Sequence, residues 1–108
     1  MNYSNEVKVV VFVPLKDADK LREAIHQAGA GKIGNYTNCS WSTVGKGRFK
    51  PESGANPAIG SVGTLQVVEE ERVEFLCPKE RVKDVIAAMK RTHPYEEIAY
   101  DVYERLDV

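Results

Sequence analysis

Apolar residues follow two different spacings along the chain, and the two spacings alternate. An almost unbroken apolar run at Val7–Val13 is typical of a central strand that is covered on one face and has neighbours on both edges. A three- and four-residue spacing then predicts an amphipathic helix that Asp17 caps and Gly29 ends. The apolar positions of this helix are Ala18, Leu21, Ala24, Ile25 and Ala28.

The middle of the chain alternates like a strand and then loses its regular pattern. Residues Tyr36–Val44 alternate Cys, Trp and Thr with Asn and Ser, which predicts a half-buried strand near a sheet edge. Over Gly45–Gly63, glycine and proline interrupt every period, and we expect a long loop. Loops longer than about 12–15 residues are uncommon in compact domains and tend to carry function, so this loop is the first place to look for a binding site.

An acidic run divides the next predicted strand. Thr64–Val68 extends a strand, Val73–Cys77 alternates like one, and Glu69–Glu71 between them predicts a solvated turn or bulge. We therefore expect strand 3 to be interrupted.

A second helix and a last strand complete the order of elements. Pro78 suits the first turn of a helix, and Pro94 prevents its continuation. The apolar face of this helix comprises Val82, Val85, Ile86 and Met89. Ile98–Tyr103 then predicts strand 4. The order βαββαβ predicts an α+β ferredoxin-like fold, with two helices on one face of a four-stranded antiparallel sheet.

Composition and charge narrow the class of protein further. The chain has 108 residues, a size typical of one domain, so residues 1–108 are interpreted as a single ferredoxin-like domain. The formal net charge of -1 gives no broad attraction to phosphate backbones, which argues against nucleic acid as a partner. The apolar runs are far shorter than the roughly 20 residues needed to span a bilayer, and no secretion signal is evident. We therefore expect no membrane association and a cytoplasmic location.

Two short segments concentrate the groups suited to binding a ligand. In the predicted loop, Lys46, Arg48 and Lys50 alternate near glycine amides, a pattern compatible with anion binding, although a solvated loop is favoured. Between the second helix and strand 4, the segment His93–Glu97 holds the densest cluster of polar groups. The candidate ligand-binding residues are Arg48, Phe49, Lys50, His93, Tyr95, Glu96 and Glu97.

A divalent metal ion is an alternative ligand for the second segment. His93 and Glu97 are the candidate metal ligands, with Glu96 and Cys39 as further donors. Because the chain has only two histidines, we favour a structural role, in which the His93 imidazole caps helix carbonyls. Cys39 and Cys77 are predicted to be reduced and to lie in strands. The pattern identifies no cofactor and no catalytic nucleophile.

Linked motifs in the right order carry a resemblance to a known family. They are Gly29-x-Gly31-x-Ile33-Gly34-x-Tyr36, Cys39-Ser40-Trp41, Gly45-x-Gly47-x-Phe49-x-Pro51, Gly54-Ala55-x-Pro57-x-Ile59-Gly60, Glu70-x-Arg72-x-Glu74 and His93-Pro94-Tyr95-Glu96-Glu97-x-Ala99-Tyr100-Asp101. Over about Val9–Leu106 the chain resembles the domain inserted in YqfO-type proteins, which are bacterial members of the Nif3-like dinuclear-metal-centre family.

The resemblance implies a fold similar to that of the PII signalling proteins and the CutA proteins, which are trimeric. It does not carry over the family's metal chemistry, because the flanking segments that hold the metal ions are not in this sequence. We therefore expect a non-enzymatic, homo-oligomeric binding or regulatory module, with a trimer favoured over a dimer, that takes a small molecule or a partner protein. The alternatives are a divalent metal-binding or metal-tolerance protein similar to CutA, and a small hydrolase in which His93 is the general base between subunits.

Overall fold

The computed structural model describes residues 2–108 and confirms the predicted fold. Its elements are β1 (Glu6–Pro14), α1 (Leu15–Gln27), β2 (Trp41–Phe49), β3 (Gln66–Pro78), a 3-10 turn (Lys79–Arg81), α2 (Val82–Thr92) and β4 (Tyr100–Tyr103). The four strands form one antiparallel sheet in the order β2-β3-β1-β4. The strand Glu6–Pro14 is central, as its apolar run predicts.

Both helices pack on the same face of this sheet. Side chains alternate across a strand, so every second residue of β1 and β3 points to the helices. The core consists of Val7, Val9, Val11, Val13, Ala18, Leu21, Ile25, Ala30, Val73, Phe75, Cys77, Val85 and Met89. Burying each of the larger side chains contributes about 1.5–3 kcal/mol. This gain explains why apolar residues recur at helical spacing on the faces of α1 and α2 that pack against the sheet. Neither α1 nor α2 is both long enough and apolar enough to cross a membrane.

Two of the predicted strand and loop boundaries are wrong. The second strand is Trp41–Phe49 rather than Tyr36–Val44, and the loop after it starts at residue 50. Gly45 and Gly47 lie within β2, where they pair with Glu70 and Val68 of β3. Glycine is unfavourable in a strand, but backbone pairing with β3 overrides that local preference. The strand is at the sheet edge as predicted, but it is largely exposed rather than half-buried.

The predicted break in strand 3 is also absent, because β3 runs without interruption from Gln66 to Pro78. The glutamates Glu69, Glu70 and Glu71 lie in three different environments. Glu71 forms an ion pair with Arg22 of α1, and Glu69 lies opposite Lys46 of β2. Glu70 is buried. The acidic run therefore does not force a turn, because backbone pairing with the neighbouring strands continues through it.

The helix starts differ from the sequence prediction as well. Helix α1 begins at Leu15, directly after β1, and Asp17 lies in its first turn without capping it. A 3-10 turn separates Pro78 from α2. Gly29 ends α1 with a φ of 111°, in the left-handed region that favours glycine, as predicted.

The hairpin of β2 and β3 extends beyond the rest of the sheet. Strand β1 pairs with β3 only as far as Pro14, which lies opposite Glu70, so Gln66–Glu69 pair with β2 alone. We call this projection, from Lys46 through the connecting loop to Glu69, the arm. The molecule is elongated, with dimensions of 46 × 27 × 23 Å.

Candidate functional site

The sheet face opposite the helices, which we call the open face, carries charged and aromatic side chains. The strand register places Lys8, Val10, Phe12, Trp41, Thr43, Gly45, Gly47, Phe49, Glu70, Arg72 and Glu74 on it. Near its centre the Glu74 carboxylate accepts ion pairs from Lys8 at 2.6 Å and from Arg72 at 3.2 Å. The hydrogen bond from Lys8, with the positive charges of both partners, holds the pKa of Glu74 below its usual value against the effect of burial.

At the end of the open face next to the arm, two chain segments fold over the sheet and form a cavity of about 700 Å³. One segment is the start of the loop after β2, and the other is the turn between α2 and β4. The lining includes Phe12, Thr43, Gly45, Lys46, Gly47, Arg48, Phe49, Lys50, Pro51, Glu52, Ala55, Pro57, Ala58, Ile59, Glu70, Arg72, Tyr95, Glu96, Glu97 and Ala99. Nine of these twenty residues are apolar or aromatic, and most of the exposed surface of the wall is apolar, which is typical of small-molecule sites.

The floor of the cavity is built from Glu70 and two glycines of β2. Glu70 is only 9% exposed. Its carboxylate lies over Gly47, where an added Cβ atom would come within 2.0 Å of Oε1. Gly45, directly opposite Glu70 in the register, has no atom within 4 Å of the position that a Cβ would occupy. Gly47 thus makes room for the carboxylate, whereas Gly45 leaves open space above the sheet.

Aromatic rings form one side of the cavity. Phe49 of β2 contacts Tyr95 edge to face, with ring centroids 5.5 Å apart. The Tyr95 hydroxyl is fully buried and has no hydrogen-bond partner of normal geometry among residues 2–108. Burial raises the pKa of this hydroxyl, and the nearby negative charge of Glu70 raises it further. The tyrosine therefore stays protonated, and its hydroxyl is held beside a buried carboxylate.

His93 supports the aromatic wall from behind. Its Nδ1 accepts the backbone N–H of Tyr95 at 3.2 Å, so the ring proton is on Nε2, which donates to the Phe12 carbonyl at 2.7 Å. The ring also packs against Tyr95, with centroids 5.0 Å apart. The prediction that the imidazole caps helix carbonyls is therefore wrong. The imidazole instead ties the turn after α2 to β1.

A hydrogen bond links the two covering segments. The backbone N–H of Asn56, in the loop after β2, donates to Glu96 Oε1 at 2.8 Å. The loop is also closed on itself, since the Gly63 N–H donates to the Pro51 carbonyl at 2.7 Å. These bonds hold the cover in place without any ligand.

The structure brings most of the sequence-predicted site residues to this cavity. Arg48, Phe49, Lys50, Tyr95, Glu96 and Glu97 line it, and His93 lies directly behind Tyr95. Sequence reasoning missed Phe12, Gly45 and Glu70. Glu70 was assigned to a solvated turn, and only the register of β2 on β3 reveals that it faces the cavity.

The proposed metal donors do not come together. Residues 2–108 contain no group of three or more His, Cys, Asp or Glu side chains arranged to hold a metal ion. Cys39 lies outside the strands and lines a separate surface groove with Trp41 and Ile33, so the prediction that both cysteines lie in strands is wrong for it. Cys77 is in β3, where burial raises the pKa of its thiol to about 11.

Known proteins that are longer than this chain contain a segment similar to it. No protein-family model matches the chain. Curated proteins named GTP cyclohydrolase 1 type 2 homolog do match. The protein from Bacillus subtilis is 50% identical over 96 residues, and the one from Mycobacterium tuberculosis is 49% identical over 96 residues. Each match covers 89% of this chain, which spans about a quarter of the length of these relatives.

A solved structure of a Bacillus cereus protein related to NIF3 aligns with the whole chain, at 45% identity and a TM-score of 0.82, and the alignment covers 27% of that protein. The chain is homologous to one segment of NIF3-related proteins. The resemblance to YqfO-type proteins is thereby confirmed.

Two more distant structures share the fold of this segment. The divalent cation tolerance protein CutA from Archaeoglobus fulgidus aligns over 90% of this chain and 80% of its own, at 15% identity and a TM-score of 0.65. The Bacillus subtilis GlnK–ATP complex aligns over 92% of this chain and 80% of its own, at 17% identity and a TM-score of 0.61. The segment thus has a PII- and CutA-like ferredoxin fold.

Proposed function

We propose that the chain is a non-enzymatic, PII- and CutA-like binding module that takes a small molecule in the cavity beneath the loop after β2. The observation that carries this proposal is the cavity itself. It has a volume of about 700 Å³, within the usual range for small-molecule sites, and the bond between Asn56 and Glu96 already joins its two covering segments.

The chemistry around the cavity supports binding rather than catalysis. A general base must reach the proton that it abstracts. His93 has both ring nitrogens engaged with backbone groups of this chain, and it stands behind Tyr95 rather than in the cavity wall. This geometry favours a binding site over the hydrolase alternative.

A ligand screen with one blocking variant tests the proposal. The panel should contain metabolites and nucleotides, since the curated relatives are named for GTP and one fold neighbour was solved with ATP. A Cβ atom at Gly45 would contact no other atom, so valine, which is favourable in a strand, would extend into the cavity above the sheet. We expect Gly45→Val to remain folded and to weaken binding of any hit at least about tenfold.

The matched control is Ser42→Val, a substitution in the same strand on the opposite side of the sheet. It should leave the affinity unchanged. Thermal shift and isothermal titration calorimetry provide the readouts. The proposal fails if no compound raises the melting temperature, or if Gly45→Val binds the hit as tightly as the unmodified chain.

We further propose that the chain assembles with copies of itself, with a trimer as the expected state. The arm supports this, because an isolated two-stranded hairpin is marginally stable in water and this one exposes apolar side chains. Leu65 is 62% exposed and Val67 54%. Packing of arms against neighbouring copies would cover these groups.

The mass in solution tests the assembly. Light scattering should give a multiple of the monomer mass, and the double substitution Leu65→Lys and Val67→Lys should reduce it to that of the monomer. Because both side chains are exposed, the variant should keep its fold. A monomeric mass for the unmodified chain at micromolar concentration would contradict the proposal.

A further inference from the structure

We infer that the ligand of this cavity carries a positively charged nitrogen group, such as an ammonium or amidinium, on an apolar body, and that Glu70 binds this group. The inference rests on the proposed function and specifies the chemical class of the ligand. Glu70 is the one carboxylate in the cavity wall that is more than nine-tenths buried.

Glu70 has no cationic partner. Its carboxylate takes part in no ion pair within residues 2–108, and the residue is only 9% exposed. The Tyr95 hydroxyl is close enough to share a hydrogen bond with it, but a neutral hydroxyl leaves the negative charge unbalanced. A buried charge without a partner is costly, so such a group is normally paired. The open space above Gly45, next to Glu70, gives a ligand access to the carboxylate.

The cations in the cavity wall do not neutralise Glu70. Lys50 lies 3.7 Å from Glu52, and Arg72 pairs with Glu74. Lys46 and Arg48 also line the cavity, but their side chains leave β2 on the side opposite to Gly45 and Gly47, and neither forms an ion pair with Glu70 within residues 2–108. The positive charge that Glu70 needs therefore has to come from the ligand.

The rest of the wall suits an organic cation. The rings of Phe12, Phe49 and Tyr95 line the same cavity, and aromatic faces attract cationic nitrogen. The buried Tyr95 hydroxyl directs its proton toward Glu70 and offers its oxygen to a second N–H of the same group. The apolar residues Pro51, Ala55, Pro57, Ala58 and Ile59 also line the cavity and accommodate an uncharged body. A bare metal ion lacks such a body and would find only one buried carboxylate.

Benzamidine and benzamide provide a matched pair of probes, because they have nearly the same shape and differ in charge. We expect benzamidine to bind more tightly than benzamide, measured by NMR titration. Glu70→Gln keeps the size of the side chain and removes its charge, and it should weaken benzamidine binding at least about tenfold while changing benzamide binding little. Glu69→Gln is the control and should have a small effect, because Glu69 precedes Glu70 in β3 but is exposed on the opposite side of the sheet and outside the cavity lining.

Three results would overturn the inference: no detectable benzamidine binding at millimolar concentration, equal affinity for both probes, or a Glu70→Gln variant that binds benzamidine as well as the unmodified chain. The proposed function is decided separately. If Gly45→Val abolishes binding of an uncharged or anionic hit from the screen, the cavity is a ligand site and only its cation selectivity is wrong.

Discussion

Gly31→Ala should lower the free energy of unfolding by about 3 kcal/mol, a large part of the stability of a small domain. Gly31 has a φ of 79°, where a side chain costs about 1–2 kcal/mol. The added Cβ would also lie 2.5 Å from the His26 ring and 2.7 Å from the Cys39 carbonyl oxygen, and relieving such overlap costs about 1–3 kcal/mol. The Gly31 N–H donates to the Leu76 carbonyl, and the Gly31 carbonyl accepts the Cys39 N–H. The backbone at Gly31 therefore has little freedom to move away.

Gly34→Ala is the matched control for this prediction. Gly34 also has a positive φ, of 56°, but nothing lies within 4 Å of the position of its added Cβ. We expect a loss of only about 1 kcal/mol, from the backbone conformation alone. Urea denaturation of both variants measures the difference. Equal losses would contradict the packing of Gly31 against the His26 ring.

His93→Ala should lower the free energy of unfolding by about 2–4 kcal/mol. The substitution leaves the Phe12 carbonyl and the Tyr95 N–H without their partner, and it opens a space where the buried ring packs against Tyr95. Because Tyr95 lines the cavity, ligand binding should weaken as well. Denaturation and calorimetric titration report the two effects.

His93→Gln serves as the comparison, since a glutamine amide has both a donor and an acceptor. It should recover part of the stability lost in His93→Ala. A different result would favour the metal-binding alternative. If His93→Ala kept full stability but lost affinity for Zn²⁺, the imidazole would be a metal ligand rather than a structural link between β1 and the turn after α2.

The fold could be predicted from the sequence because its strongest signals are local. The apolar run of β1 and the periodicity of α1 and α2 reflect burial against one shared core, and Gly29 and Pro94 mark helix ends by their own chemistry. Strand β2 was misplaced because its limits depend on pairing with β3. Local composition indicates a loop at Gly45 and Gly47, whereas tertiary pairing makes them part of a strand.

Only those parts of the candidate site that local composition marks could be predicted from the sequence. The loop cations and the segment after α2 stand out by composition, and they do lie on the cavity wall. Glu70 could not be found this way, since it sits in an acidic run that is usually solvated. Its burial follows from the register that places it over Gly47, and a sequence pattern does not contain that register.

Chemical-shift mapping of a bound screening hit would test the central claim, that the cavity over Gly45 is the binding site of this module. We expect the largest amide shifts at Gly45, Gly47, Glu70 and Tyr95, and we expect them to be lost in Gly45→Val. Shifts centred instead on the groove beside Trp41, or persisting at full size in Gly45→Val, would contradict it.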